Sequence, residues 1–478
     1  MVGLSRFRIS TGTVLLLALI PLLGWWAYGL FDLDEGFYAA ITREMLQRGD
    51  WITPHYNGKP WFEKPILLYW VAAPCVALFG DWLGPRLPSV MAALGMYALM
   101  FRFSRDWLGE RGAAAAVWVC ASSLLMVAVS RMMMTDLLLV ASLTVGFLLY
   151  WRSLQGHLPS RYLFGLCVGL GVLAKGPVAV ILTAGVVGWT FWRQPALRSA
   201  HRGGWFISLI LCAAVVATWY VPCYIVNREL FVQEFLIKQN LERFQGGDKA
   251  HTIGFPVNII FYPAILLVGM CPWIFRLRRS LRIEDPFVKF CAGWAMVIFV
   301  FFFIGGSKLP HYILPCLPPL ALVLGASFRE NNEPTFARPF VIAAVVQCII
   351  ANAGFWGYYQ GKFGTDSHAE LHALTLEAKS MGEPVIVYQM SRRQSALGTG
   401  QLKVQDTSHP SVIFYLGKTV EDVDEPQRLL SAKGTLVLTR SDRLPPEELR
   451  AFQDMGLELR PVSTRTEQKD YRLFRISR

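Results

Sequence analysis

The chain has 478 residues, of which 54% are hydrophobic and 17% charged, and its mean hydropathy is +0.38. That balance excludes an ordinary soluble globule and points to a polytopic α-helical membrane protein, since apolar runs recur through the first three quarters. The formal charge of +12 does not mark a nucleic-acid surface, because the basic residues are scattered between the apolar runs and the carboxy-terminal segment is nearly balanced.

Arg6 and Arg8 precede an apolar run at 11–31 that lacks a small-residue cleavage site, so it reads as a retained first span and not a signal peptide. Further runs able to span lie at 88–104, 112–130, 137–151, 161–175, 177–192, 205–226, 257–275, 287–305, 309–328 and 338–358. Charge decides the remaining run, 65–80. If it lies along the interface, the loops bearing Arg102, Arg111, Arg152, Arg198, Arg279 and Arg329 share the side of Arg6 and Arg8. If it crosses, all of those loops face outward, against the positive-inside bias. The expectation is therefore about 11 spans plus interfacial helix, with a cytoplasmic amino terminus. All nine cysteines lie in apolar runs without metal-ligand spacing and read as core residues.

The texture changes near 359. PVIVYQM (384–390), SVIFYLG (411–417), GTLVLTR (434–440) and YRLFRIS (471–477) read as strands, with helical stretches near 368–380 and 446–455. The expected organisation is a membrane domain over 1–358, with a first outer loop at 32–87, and a small soluble α/β domain over 359–478. That second domain lacks a glycine-rich phosphate loop and metal-spaced histidines, so it reads as a structural or acceptor-docking module.

The chemistry concentrates in the first loop. Residues 32–70 hold Asp32, Asp34, Glu35, Glu44, Asp50 and Glu63 beside a span, where carboxylates are costly unless water, a metal or a basic group meets them. Asp34 is placed to cap a helix over 35–48 that Gly49 closes; Asp50, Pro54, Asn57, Gly58 and Pro60 mark turns. A short helix is expected from about Glu63-Lys64-Pro65. Asp136 in SRMMMTDLLL, with Arg131 before it, falls where one span ends and the next begins. Lys175 in LAKGP, Lys308, His311 and Tyr312 in SKLPHYILP, and Arg243 and His251 in NLERFQGGDKAHTIGFP fall at the same outer face. Plain structural roles stay open for each: helix caps for Asp34 and Asp136, snorkelling for Arg131 and the lysines, a surface ion pair for Glu63 and Lys64.

The pattern DE-x-x-YA at 34–39, RGDWITP at 48–54 and FEKP-x-L-x-YW at 62–70 resembles the bacterial aminoarabinose transferases of lipid A (ArnT) and the protein mannosyltransferases. These are GT-C-fold enzymes that use polyprenyl-phosphate sugars. The resemblance is strong in this loop, moderate to about residue 330, and absent from the tail. It implies an inverting membrane glycosyltransferase on the periplasmic face of a bacterial inner membrane. The donor would be an undecaprenyl-phosphate type sugar, and the acceptor lipid A or another envelope glycan. It assigns Asp34 as the catalytic carboxylate and Asp136 as a second acidic site residue. It places Lys64, Arg131, Lys175, Arg243, Lys308 and Tyr312, with Tyr38 and Tyr69, around the phosphate and sugar. Glu63 and His251 would hold a divalent metal, zinc or magnesium. The chain is shorter than the family usually is, with fewer spans and a different tail, which leaves the sugar and acceptor open. A protein acceptor, or a lipid-linked sugar transporter or flippase, remains an alternative reading.

Overall fold

A computed structural model describes the chain apart from residues 1–10, 33, 202–203, 243–252, 255, 330–337, 364–365, 391–408, 424, 431, 433, 445, 464–468 and 478. It divides into two compact units. The first comprises 1–25, 62–71 and 86–352; the second comprises 26–61, 72–85 and 353–478. The first loop is thus shared out: residues 26–61 pack with the tail, and 62–71 with the main helical unit.

In the first unit the chain begins with α1 (Thr11–Leu17). The run expected as one span over 11–31 is not one helix. After α1 only a short 3-10 turn forms at Ile20–Leu22, because Pro21 cannot continue an α-helical ladder and Gly24 adopts a positive φ.

The first loop supplies α2 (Asp34–Arg48) to the second unit and then α3 (Leu67–Leu83), which contains Pro74 and breaks at Gly80 (φ +74°). The runs expected at 88–104 and 112–130 join as α4 (Leu87–Ser122), kinked at Gly109 and followed by α5 (Leu124–Val129). A hairpin of α6 (Thr135–Ser153) and α7 (Leu158–Lys175) follows, then α8 (Val178–Arg193) and α9 (Trp205–Phe231), which runs on into a π-helical stretch to Glu242. The run at 257–275 is another correction. It folds as α10 (Val257–Gly269) and, past a bend of 98°, a segment that includes α11 (Leu277–Ser280). Last in this unit come α12 (Pro286–Ile304), a 3-10 turn at Pro310–Cys316, α13 (Leu317–Ala326) and most of α14 (Arg338–Tyr359).

Among the described residues four helices are long and apolar enough to cross a membrane: Leu87–Ser122, Thr135–Ser153, Trp205–Asn240 and Pro286–Ile304. The bent pair makes a fifth if it counts as one span. Their surfaces agree with a lipid environment. On α9, Phe206, Leu209, Val221 and Ile225 are all more than half exposed, an arrangement water would penalise and acyl chains would not. Small residues allow close helix approach where it is needed. A Cβ on Gly325 of α13 would lie 2.5 Å from the Gly112 carbonyl oxygen of α4, so these two backbones touch as only glycine permits.

In the second unit, α2 ends at Gly49 (φ +65°), as the sequence predicts, and Asp50 accepts bonds from the Ile52 and Thr53 amides at 3.0 Å in a side-chain turn. Asn57 and Gly58, both at positive φ, turn a small hairpin of β1 (His55–Tyr56) and β2 (Lys59–Pro60). The tail contributes α15 (His368–Met381), β3 (Val385–Tyr388), α16 (Pro410–Leu416), β4 (Glu421–Val423), α17 (Pro426–Leu429), β5 (Leu436–Arg440), α18 (Pro446–Asp454), β6 (Glu458–Pro461) and β7 (Tyr471–Ser477). The sheet order is β4-β3-β5-β7-β6, parallel across β4, β3 and β5 and antiparallel across β5, β7 and β6. Ile386, Tyr388, Val437, Phe452, Phe474 and Ile476 form its core. One expected strand is overturned: 411–417 is helix α16. Pro410 starts it, Gly417 ends it in the left-handed conformation (φ +69°), and its residues are buried all round, so no period distinguished helix from strand.

Candidate active site

The hairpin of α6 and α7 brings the first residues of one helix to the last residues of the other. Asp136 is the second residue of α6, where the helix dipole favours a negative charge. Lys175 is the last residue of α7, where it favours a positive one. The two side chains form a buried ion pair. His311 Nε2 lies 3.9 Å from the other Asp136 oxygen, and the Lys175 ammonium lies 4.5 Å from the centre of the Tyr312 ring. Lys64 contributes a further positive charge to the field at Asp136.

A cavity of about 160 Å³ opens beside this cluster, within the first unit. Glu63, Lys64, Lys175, Gln239, Asn240, Ser307 and Tyr312 supply its polar lining, and Pro177, Ile181, Phe235, Phe301 and Phe302 its apolar lining. Gln239 and Asn240 come from the π-helical stretch after α9, where the widened turn re-aims side chains. Gln239 donates to Glu63 Oε1 at 3.3 Å. Two lysines in the lining of a largely apolar cavity suit an anionic headgroup carried on a hydrocarbon chain.

The structure brings together six of the residues singled out in the sequence: Glu63, Lys64, Asp136, Lys175, His311 and Tyr312. Others it puts to different use. Lys308 donates to the carbonyls of Phe302 (3.3 Å), Phe303 (2.7 Å) and Gly305 (3.1 Å), so it caps the end of α12. Arg131, expected around the phosphate and sugar, is fully buried. Its guanidinium donates to the carbonyls of Val127 (2.8 Å) and Pro21 and to the Asn352 side chain. Tyr69 is buried in α3 and Tyr38 in α2. Asp34 is the exposed first residue of α2, in the second unit, and Glu35 beside it is buried, accepting the Phe31 amide at 2.9 Å. Arg243 and His251 lie outside the described residues. Gln239, Asn240 and Ser307 were missed; an uncharged polar residue near an apolar run carries no sequence signal of its own.

The metal expectation has little here to test it. Glu63 is the one described metal-type donor lining the cavity, and no group of three or more His, Cys, Asp or Glu stands together among the described residues. One carboxylate does not fix a divalent ion.

Residues 4–232 match the family model described as dolichyl-phosphate-mannose-protein mannosyltransferase. Among named proteins, the chain is 30% identical over 359 residues to the undecaprenyl phosphate-α-4-amino-4-deoxy-L-arabinose arabinosyl transferase of Serratia proteamaculans, covering 70% of this chain and 62% of that one. Its identity to the like-named enzyme of Pseudomonas aeruginosa strain LESB58 is 32% over 343 residues, 68% of this chain and 60% of the relative. The chain thus spans about three-fifths of the length of these relatives. Among solved structures, ArnT from Cupriavidus metallidurans bound to undecaprenyl phosphate superposes with a TM-score of 0.75, covering 98% of both chains at 19% identity. Its apo form gives 0.72. At that identity the likeness establishes the fold.

Proposed function

We infer that this chain, an ArnT-like relative of the protein mannosyltransferases in sequence and an ArnT-like membrane protein in fold, is an integral-membrane glycosyltransferase. On this reading it moves a sugar from an undecaprenyl-phosphate type donor to lipid A or another envelope glycan, with inversion. The observation that carries it is the largely apolar cavity with Lys64 and Lys175 in its polar lining.

The chemistry follows from the charges. When the sugar–phosphate bond breaks, negative charge grows on the departing lipid phosphate, and two ammonium groups in a cavity with little water stabilise that charge more than they stabilise the bound donor. Asp136 aims Lys175 through their ion pair and has His311 as its second neighbour. Asp34 is the proposed catalytic carboxylate, on the strength of the DE-x-x-YA resemblance. Towards a hydroxyl acceptor it would act as general base; towards a phosphate acceptor, already ionised, it would position. Glu63 and His251 are proposed to hold a divalent metal, supported by the resemblance alone, and no step is routed through it. The mannosyltransferase family match keeps a protein hydroxyl in view as acceptor.

The finer topology belongs to this reading as well. It has about 11 spans with the amino terminus in the cytoplasm, and the site and tail on the periplasmic side of a bacterial inner membrane.

The test is sugar transfer in proteoliposomes from a panel of radiolabelled polyprenyl-phosphate sugars onto extracted envelope lipids, with and without chelator. Transfer should be seen with the unaltered protein and collapse in Asp34→Ala and Lys64→Ala. No donor consumed while labelled lipid changes leaflet would replace the enzyme by a transporter.

A further inference from the structure

The loop helix α2 does not stand alone in the second unit; α16, from the tail, runs beside it in the same direction. At the leading end, Asp32 accepts two bonds from Ser411, from the amide at 2.8 Å and from the hydroxyl at 2.7 Å. Midway, the Arg43 guanidinium lies 4.9 Å from the centre of the Phe414 ring. At the far end Gln47 donates to the Gly417 carbonyl at 2.7 Å. Beyond it, Asn57 and Val420 exchange a pair of bonds at 2.8 and 2.9 Å. Tyr415 adds a fifth tie, its hydroxyl accepting the Leu30 amide at 3.1 Å. The approach is as close as atoms allow. A Cβ on Gly36 would fall 2.6 Å from Asp32 Oδ1 and 2.8 Å from the Ser411 nitrogen.

We propose that Asp32 is a positioning residue for Asp34, and that its two-bond clasp on Ser411 makes α16 a splint that sets where the loop helix begins. This rests on the reading of Asp34 as the catalytic carboxylate. Asp34 is exposed at the first position of α2, two residues after the clasp, so where the helix begins decides where its carboxylate stands. A generic stabilising contact would need only one of these ties. Here both carboxylate oxygens are engaged by one residue 379 positions away, against a glycine that admits nothing larger.

The clasp also has a charge state. Burial pushes the Asp32 carboxyl up to about 7, against the two Ser411 bonds and with a smaller upward push from Glu35 of α2. Among the described residues, Tyr471 of β7 also feels it, itself paired at 3.1 Å with His409 just ahead of α16. An ionised carboxylate accepts both Ser411 donors. A protonated one must turn its own hydrogen towards the serine hydroxyl, and it loses the charge-assisted bonds, which are about twice as strong as neutral ones.

The test uses full-length Asp32→Asn, Ser411→Ala and Asp34→Ala proteins in proteoliposomes, with lipid A as acceptor. The donors are undecaprenyl-phosphate aminoarabinose and undecaprenyl-phosphate mannose. Thermal unfolding in detergent micelles and resistance of the tail to limited proteolysis report that each variant is folded. The expected result is a kcat lowered about 10- to 100-fold in Asp32→Asn and Ser411→Ala, the scale of a small misplacement, with the donor KM little changed. In the unaltered protein kcat should rise with pH through a step near neutrality that Asp32→Asn lacks. Folded Asp32→Asn and Ser411→Ala with unaltered kcat and pH profile, beside an inactive Asp34→Ala, would overturn the positioning role and leave the site reading intact. An active Asp34→Ala, or no transfer from either donor by the unaltered protein, would overturn the reading itself and the proposal with it.

Discussion

Buried charges in this protein are met in different ways. Asp136 and Lys175 lie where neither is fully hydrated, so deleting one partner strands the other, a change that costs about 3–5 kcal/mol, whereas replacing both with apolar or neutral groups costs little. Lys175→Met should therefore lower the melting temperature in detergent micelles, and Asp136→Asn/Lys175→Met should recover most of it. Transfer should stay lost in the double variant, because the ammonium proposed to meet the phosphate is gone. A double variant that regains transfer with its stability would show the pair to be structural only. Asp32 is the contrasting case. Its folded value of about 7 stands above the roughly 3.9 of an unfolded aspartate, so it favours the fold below pH 4 and that favour is lost as pH rises through 7. Three units correspond to at most about 4 kcal/mol. Melting temperatures should accordingly decline between about pH 4 and pH 7 and do so less steeply in Asp32→Asn, measurable by thermal scans across that range. An equal slope in the variant would remove Asp32 from the account.

Elements differed in how plainly the sequence announced them. The helix at 34–48 was legible because its signals are local: acidic residues in the first turn, a glycine after the last, an Asx turn beyond. The strands β3, β5 and β7 were legible as β-branched and aromatic runs, whereas β4 and β6 are short and partly exposed and gave no pattern. Helix α16 was misread because VIFYL at its centre shows neither period, and only its packing against α2 decides its form. The site followed the same division. Glu63, Lys64, Asp136, Lys175 and Tyr312 carried charge or a motif into view. The use of Lys308 and Arg131 as caps and struts depends on which carbonyls surround them, and no sequence spacing encodes that. The α4–α13 contact makes an element-scale prediction. Gly325→Val would push a Cβ into the Gly112 carbonyl 2.5 Å away, and overpacking of this kind costs about 1–3 kcal/mol. A lowered melting temperature in micelles is expected, and an unchanged one would mean that the two helices separate without cost.

On the scale of the whole chain, the division into units ties the tail to the chemistry. Residues 26–61, which carry the proposed catalytic carboxylate, are packed with 353–478. Residues 62–71, which carry Glu63 and Lys64, are packed with the helices that form the cavity. The loop that the resemblance marks as the site thus divides between the units, Glu63 and Lys64 going with the first and Asp34 with the second. That arrangement gives the tail a task which its lack of phosphate loops and metal ligands left undefined. It need recognise nothing, provided it holds α2. Ala39, Ala40 and Ile41 of α2 are fully buried in the unit that the tail completes, so without the tail the helix loses its partners. A chain ending at residue 360 should keep the Lys64–Lys175 cavity and bind undecaprenyl phosphate with little change, because every residue lining that cavity belongs to the first unit. Its turnover should fall by about 100-fold or more, since the proposed catalytic carboxylate would then stand on a helix without its packing partners. Equilibrium binding of radiolabelled undecaprenyl phosphate and single-turnover transfer, run on the same preparation, separate the two effects. Binding retained with transfer lost locates the tail's contribution at the catalytic loop. Transfer retained at the full-length rate would mean that α2 needs no splint and that the tail serves something other than the reaction.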